Sequence, residues 1–336
     1  MADTVLVTGG TGFLGGWCVA SLLERGYDVR TTVRDLERDR DVREAVVTSG
    51  IETDAQLTVV AADLTSDDGW KEAVDGARYV LHVASPFPPV QPKDPDELIV
   101  PARDGALRVL RAALDVGVER VVMTSSIAAI RSNRESSETA PYTEDDWTDG
   151  NDTGRTPYVR SKTLAEQAAW EHVRSANAEQ RLAVVNPGAI IGPALSDDHS
   201  YSLQAVQRLV EGDMPAVPRL GFTFVDVRDV ADLHIRAMTQ QQAGGERFIA
   251  ADEWLWLPQV AAVVRERLGN EAPKVPKRTA PDFLVRAVAL FDGSIRSVVG
   301  DLGKRSWVSS DKARSVLGWT TRPVGDSIEE TARSLL

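Results

Sequence analysis

Short apolar runs rich in β-branched residues recur through the first half of the chain, and amphipathic stretches separate them. The runs cover residues 4–8, 29–33, 57–61, 79–83, 120–124 and 182–185. In the first amphipathic stretch, 13–25, Leu14, Cys18 and Leu22 share one helical face, and Gly26 follows at the expected helix end. Strands that are apolar on both faces and alternate with helices predict an α/β fold with a doubly wound parallel sheet.

The second half of the chain has a less regular pattern. Residues 188–221 are rich in Gly, Pro and Ser, with one helical pattern at 203–210, and a Pro-rich break at 273–281 precedes another amphipathic stretch. We therefore expect a nucleotide-binding-type domain over 1–188 and a smaller C-terminal lobe over 189–336. Residues 223–250 are expected to return to the first domain.

Composition narrows the possible partners. The 336 residues include 50 acidic and 38 basic side chains, a formal net charge of −12, which disfavours nucleic acid and anionic membrane surfaces. Cys18 is the only cysteine, so an internal disulfide and a cysteine zinc site are excluded. The first residues lack the pattern of a signal peptide, and no apolar run is long enough to cross a bilayer. We expect a cytoplasmic protein, either a monomer or a homodimer, without a bound metal.

A glycine-rich turn follows the first predicted strand. Residues 8–15 read Thr-Gly-Gly-Thr-Gly-Phe-Leu-Gly, with Gly9, Gly12 and Gly15 in the spacing GxxGxxG. Glycine there permits a tight turn, close approach of a pyrophosphate, and packing of the next helix on the sheet. The helix N-terminus would present N–H groups to the phosphates. A strand, this turn and an amphipathic helix together predict a Rossmann-type dinucleotide site.

The end of the second strand indicates which dinucleotide binds. Arg34 follows the strand, and a guanidinium can pair with a 2′-phosphate, whereas Asp35 beside it suits a ribose hydroxyl. NADP is therefore favoured over NAD. Alternatively, Arg34 belongs only to the solvated charged run 34–43.

Tyr158 and Lys162 stand four residues apart at the start of a long helical pattern. Such residues share a helix face, so an ammonium can approach a phenol and lower its pKa toward neutrality. By chance about 0.1 such pairs are expected in a chain of this composition. The alternative is an ordinary surface pair.

Hydroxyl groups stand at the end of the fifth strand, where Thr124, Ser125 and Ser126 are consecutive. The crevice of a parallel sheet lies beyond the carboxyl ends of its strands, so a serine there can hydrogen-bond a substrate carbonyl. A turn or helix cap is the alternative role.

Taken together, these motifs resemble the extended short-chain dehydrogenase/reductase family, and within it the dihydroflavonol reductase and cinnamoyl-CoA reductase group. The resemblance rests on residues 8–15, 63–64, 82–86, 124–126, 158–166 and 186–188, with further similarity at 225–231 and 317–319. It extends over nearly the whole chain.

The resemblance implies an NADPH-dependent reduction of a ketone or aldehyde, with a small-molecule carbonyl substrate. Tyr158 would donate the proton, Lys162 would lower the pKa of Tyr158 and bind the nicotinamide ribose, and Ser126 would orient the carbonyl. The implied cofactor site comprises Gly9, Thr11, Gly12, Phe13, Leu14, Gly15, Arg34, Asp63, Leu64, Ala84, Ser85, Thr124, Tyr158, Lys162, Pro187, Gly188, Ile190 and Ser202.

The chain also departs from family patterns. Residues 153–157 do not match the Asn-Trp-Tyr-Cys-Tyr run of the cinnamoyl-CoA reductases, which argues against a CoA thioester substrate. Ile127 and Ala128 replace the acidic pair of the sugar-nucleotide dehydratases. Two alternatives remain, an NAD-dependent nucleotide-sugar epimerase and a non-catalytic NADP-binding redox sensor. The substrate would be selected by irregular segments at 86–101, 131–157 and 194–221, including Phe87, Pro88 and Pro89.

Overall fold

The computed structural model describes residues 2–51, 56–86, 92–197, 200–290 and 299–336. The predicted substrate contacts at Phe87, Pro88 and Pro89 lie outside these residues. The strands are β1 (Thr4–Thr8), β2 (Asp28–Val33), β3 (Leu57–Ala61), β4 (Tyr79–His82), β5 (Arg120–Thr124), β6 (Leu182–Pro187), β7 (Ala189–Ile191), β8 (Gly221–Asp226), β9 (Arg247–Ala250) and β10 (Glu253–Trp256). The described helices are α1 (Phe13–Glu24), α2 (Asp39–Thr48), α3 (Trp70–Val74), α4 (Asp96–Asp115), α5 (Pro157–Ser175), α6 (Tyr201–Glu211), α7 (Val227–Thr239), α8 (Leu257–Leu268), α9 (Asp282–Val288), α10 (Asp311–Leu317) and α11 (Val324–Ser334).

Seven strands form one parallel sheet in the order β3-β2-β1-β4-β5-β6-β9. The chain moves outward from β1 in one direction and then returns to pair β4 with the other side of β1. A crevice opens at such a reversal, beyond the carboxyl ends of the strands. The predicted Rossmann-type doubly wound α/β sheet is confirmed.

Helices cover both faces of this sheet, because alternate strand residues supply the two cores. Val5 and Val7 of β1 pack with α1 and α7, whereas Leu6 packs with α3, α4 and α5 on the opposite face. All three β1 residues are completely buried. This two-sided burial explains why the strands are apolar throughout.

A three-stranded sheet in the order β10-β8-β7 and the helices α6, α8 and α11 surround a separate apolar core. The segment 223–250 contributes to both sheets. Strand β9 pairs with β6, and α7 packs against the large sheet. Residues 223–226 instead pair with β7 and β10, because β8 is the central strand of the small sheet.

Within the described ranges, no helix combines the length and apolarity needed to span a bilayer. The same residues contain no cluster of three or more His, Cys, Asp or Glu side chains suited to a metal ion.

Candidate active site

The glycine turn after β1 has the geometry that a bound pyrophosphate requires. Gly9 adopts φ +76°, a left-handed conformation, and its carbonyl accepts a hydrogen bond of 3.1 Å from the Gly12 N–H. A Cβ at Gly15 would lie 2.1 Å from the Gly9 oxygen, so only glycine lets α1 approach the turn this closely. Gly12 precedes α1 as its N-cap and has no side chain to cap the helix, which leaves the N–H groups of the first turn available to an anion. These residues fit a dinucleotide.

The side chains around this turn are placed consistently with that role. Thr11 is half-buried, whereas Phe13 and Leu14 are buried in the core and so anchor the first turn of α1. Ala84, after β4, is the nearest neighbour that a Cβ on Gly9 would meet, at 3.0 Å, and its N–H donates to the Thr8 hydroxyl. Ser85 is half-buried next to it. The ends of β1 and β4 therefore adjoin at the crevice.

Arg34 follows β2 as an exposed side chain close enough to Asp63 for its charge to help lower the pKa of that carboxyl. The larger cause of that lowered pKa is Thr65, whose hydroxyl and N–H both donate to Asp63 Oδ1 at 2.7 Å. Asp35 caps the following turn by accepting from the Glu37 N–H at 3.0 Å. The Asp35 carboxylate, the group that would suit NAD, therefore already accepts a hydrogen bond from the turn. The Arg34 guanidinium, the group that would suit NADP, is exposed to solvent.

Ser126 and Tyr158 meet at the carboxyl end of β5. Thr156 caps α5 through the Val159 N–H, which places Tyr158 in the first helical turn. The Ser126 hydroxyl accepts from the Ala128 N–H at 3.1 Å. It also lies close enough to the Tyr158 phenol for their interaction to lower the pKa of that phenol. The predicted catalytic hydroxyl and phenol therefore lie side by side.

Lys162 lies one helical turn after Tyr158, and both residues keep part of their surface open. Burial lowers the pKa of Lys162 to about 8, with the Glu166 charge acting in the opposite direction. Burial also raises the pKa of Tyr158, and the Ser126 hydrogen bond only partly offsets it. The expected lowering of the phenol pKa by Lys162 is therefore not observed in the protein alone, because desolvation of the phenolate dominates.

The remaining predicted cofactor residues are distributed around the same edge of the sheet. Leu64 packs against the sheet core and faces Gly105 of α4, where a Cβ would approach it to 2.9 Å. The Thr124 hydroxyl is paired with His234 Nε2 at 2.7 Å, so its side chain is directed at α7. A cofactor contact at Thr124 would therefore have to involve its backbone.

Pro187, Gly188 and Ile190 connect the large sheet to the small one. Pro187 is buried in β6, and a Cβ on Gly188 would lie 2.3 Å from the Thr223 oxygen, so glycine is required where the two sheets approach each other. Ser202 donates its hydroxyl hydrogen bond to the Ile190 carbonyl, which fastens α6 to β7.

Three polar groups near the site were not assigned a role from sequence. Glu166 and Asn186 are completely buried and hydrogen-bonded to each other at 2.9 Å. His82 pairs with the Thr8 hydroxyl at 2.9 Å, and burial, with the Lys162 charge as a smaller cause, lowers its pKa to about 3. The spacing of Glu166, four residues after Lys162, was the available sequence signal.

The chain matches the model of the NAD dependent epimerase/dehydratase family over residues 5–251. It is 34% identical to a cinnamoyl-CoA reductase of Medicago truncatula named CAD2, over 100% of this chain and 96% of that protein. It is 35% identical to a putative anthocyanidin reductase of Ginkgo biloba, over 82% of this chain and 86% of that protein.

Among solved structures, the chain superimposes on yeast methylglyoxal/isovaleraldehyde reductase Gre2, a complex with NADPH, with a TM-score of 0.82. The two chains are 25% identical, and the superposition covers 99% of this chain and 98% of that one. The resemblance found from the motifs is confirmed. The chain belongs to the NAD dependent epimerase/dehydratase family and is an oxidoreductase of the extended short-chain dehydrogenase/reductase type.

Proposed function

We propose that this enzyme reduces a ketone or aldehyde to an alcohol with NADPH, and that Tyr158 is the proton donor. The observation that carries the proposal is the placement of the Ser126 hydroxyl beside the Tyr158 phenol, one helical turn before Lys162. This set stands at the same edge of the sheet as the glycine turn. The similarity to named reductases, and to a reductase in complex with NADPH, supports the same chemistry.

Tyr158 is suited to donate a proton. Because burial holds its pKa above that of an ordinary phenol, the group retains its proton throughout the neutral range. When bound, NADPH supplies the hydride to the carbonyl carbon, and the negative charge then develops on the carbonyl oxygen. The Ser126 hydroxyl donates a hydrogen bond to that oxygen, and Tyr158 transfers its phenolic proton to it.

Lys162 assists the proton transfer through its charge. The reaction leaves a buried phenolate at Tyr158, and a nearby ammonium favours that product over the neutral phenol. Since the pKa of Lys162 is about 8, most of its population is cationic at neutral pH. Lys162 also has donors for the hydroxyls of the nicotinamide ribose.

The cofactor is NADP(H). Arg34 is exposed after β2 and can pair with a 2′-phosphate, whereas the Asp35 carboxylate already caps a turn. A planar guanidinium binds a phosphate through two parallel hydrogen bonds, which a ribose hydroxyl does not offer.

Replacement of Tyr158 by Phe tests the proposal. NADPH oxidation with a panel of ketones and aldehydes should fall about 10²- to 10⁴-fold, while NADPH binding measured by fluorescence stays nearly unchanged. Tyr27→Phe is the matched control, because Tyr27 immediately precedes β2 at the opposite edge of the sheet. Full turnover in Tyr158→Phe would reject the assigned role.

A further inference from the structure

Glu166 is a buried carboxylate that accepts four hydrogen bonds. Its Oε2 accepts from the Ser125 hydroxyl at 2.6 Å and from Asn186 Nδ2 at 2.9 Å. Its Oε1 accepts from Arg247 Nε at 2.6 Å and from Trp170 Nε1 at 3.3 Å. Its side chain is completely enclosed. A buried carboxylate is tolerated only when it is paired and hydrogen-bonded in this way.

Both residues that donate to Oε2 are connected to the backbone of Ser126. Ser125 directly precedes Ser126, and the Asn186 amide that donates to Glu166 also donates to the Ser126 carbonyl at 3.1 Å. Ser125, Ser126 and Asn186 are all buried, so these contacts fix the backbone that follows β5 against β6. The Ser126 hydroxyl is thereby held against the Tyr158 phenol.

The Oε1 contact with Arg247 extends the network to the segment that precedes the catalytic helix. Arg247 NH1 donates to the carbonyls of Glu144 at 2.7 Å and Asp146 at 2.9 Å. The guanidinium also stacks on the Trp147 ring at 3.7 Å. One carboxylate therefore connects α5, β5, β6 and β9 with residues 144–147.

We propose that Glu166 is a positioning residue of the active site, which holds Ser126 on Tyr158 through Ser125 and Asn186 and places a fixed negative charge one helical turn from Lys162. The inference rests on the proposed function, since it assigns Glu166 to that reaction. Glu166 touches neither substrate nor cofactor in this assignment and acts through its neighbours.

The electrostatic part of this role depends on the charges around Lys162. From β4, His82 faces Lys162 as a neutral imidazole, and from α5, Tyr158 is a neutral phenol. Glu166 is the charged neighbour that raises the pKa of Lys162 against the effect of burial. From β9, Arg247 faces Glu166 and partly compensates its charge.

Glu166→Gln removes the negative charge. It also replaces one of the two carboxylate oxygens by an amide N–H₂ group, which cannot accept the two hydrogen bonds made to that oxygen. The kcat for carbonyl reduction should fall about 10- to 100-fold, because a misplaced Ser126 no longer aligns the carbonyl. The alkaline limb of kcat/KM should move to lower pH, because Lys162 loses the charge that keeps it protonated. A normal kcat with an unmoved limb would overturn the proposal.

Two further variants separate geometry from charge. Glu166→Asp keeps the charge on a shorter side chain, so kcat should remain low while the alkaline limb of kcat/KM returns toward its wild-type position. Ser125→Ala removes one Oε2 donor without changing any charge, so kcat should fall and the limb should stay. If Glu166→Gln does not fold, an unchanged kcat in Ser125→Ala overturns the positioning role.

A double-mutant cycle of urea unfolding in the full chain without cofactor provides a readout independent of turnover. Lys162→Met should raise the urea midpoint at pH 7 more in the Glu166→Gln background than in the wild type, because the lysine charge is less well compensated there. Equal midpoint shifts in the two backgrounds would refute the electrostatic coupling. Loss of the proposed function is detected separately, as retained turnover in Tyr158→Phe.

Discussion

Replacement of Lys162 by Met should make the protein more stable and inactive. Lys162 has an ordinary pKa of 10.5, which burial lowers to about 8. A folded-state pKa below that of the unfolded chain means that folding disfavours the cation. Met has a similar length and no charge, so it removes this penalty and fills the same space.

The magnitude follows from the two pKa values. One pKa unit corresponds to about 1.4 kcal/mol, so the penalty at pH 7 is on the order of 3 kcal/mol. For a chain of this length, this gain corresponds to a rise in Tm of roughly 4 °C. Between pH 8 and 10.5 the unfolded state binds more protons at this site, so the stability of the wild type rises with pH there and the advantage of the variant shrinks.

Thermal and urea unfolding of the wild type and Lys162→Met at pH 7 and at pH 10 would measure both effects. Lys71→Met is the matched control, because Lys71 is exposed on α3 and its loss should change stability by less than about 0.5 kcal/mol. A variant that is less stable than the wild type at pH 7, or whose advantage does not shrink with rising pH, would contradict the reasoning.

Three further predictions concern the cofactor site and the pH dependence. Arg34→Ala should weaken NADPH relative to NADH by about 10- to 100-fold in kcat/KM, because a charged hydrogen-bonding partner of the 2′-phosphate is lost; equal losses for both cofactors would argue against the assignment. Gly15→Ala should unfold the turn or abolish NADPH binding, because its Cβ would lie 2.1 Å from the Gly9 oxygen, while Gly300→Ala, with open space around it, should bind normally in the same titration. The rate of carbonyl reduction should decline as pH rises through about 8, because Lys162 loses its proton there. The rate of oxidation of the product alcohol should increase with pH, because Tyr158 has to be deprotonated before it can accept a proton. Initial rates in both directions across pH 6–10 would show either pattern, and a reduction rate that increases above pH 8 would contradict the role of Lys162.

Much of the site follows from sequence because parallel strands place their carboxyl ends at one edge. Gly9, Arg34, Ala84 and Ser126 are far apart in the chain, yet each follows a strand of the same sheet. Hydrophobic patterning located these strands to within one or two residues. Strand β6, predicted to end at residue 185, continues to Pro187 because its last two residues pair with β9.

The long-range polar contacts could not be predicted in the same way. Thr124 pairs with His234, and Glu166 pairs with Arg247. In each case the partner lies on an element that follows the irregular segment 188–221 in the chain. No local periodicity encodes such pairs. The pKa of Tyr158 was wrongly expected to be lowered. The spacing of Lys162 predicts a neighbouring amine, whereas burial raises the pKa of Tyr158 and the opposing cause is Ser126.

Four functional side chains on one face of α5 are spaced four residues apart. Tyr158, Lys162, Glu166 and Trp170 follow each other at intervals of four residues, so they form one row along the helix. The row places a proton donor, a cation, an anion and a hydrogen-bond donor to that anion in sequence. The anion accepts four hydrogen bonds, one of them from the Arg247 guanidinium, whereas burial lowers the pKa of the cation. Lys162→Met should therefore raise stability, and Glu166→Gln, which leaves the Arg247 cation buried without its anion, should lower it.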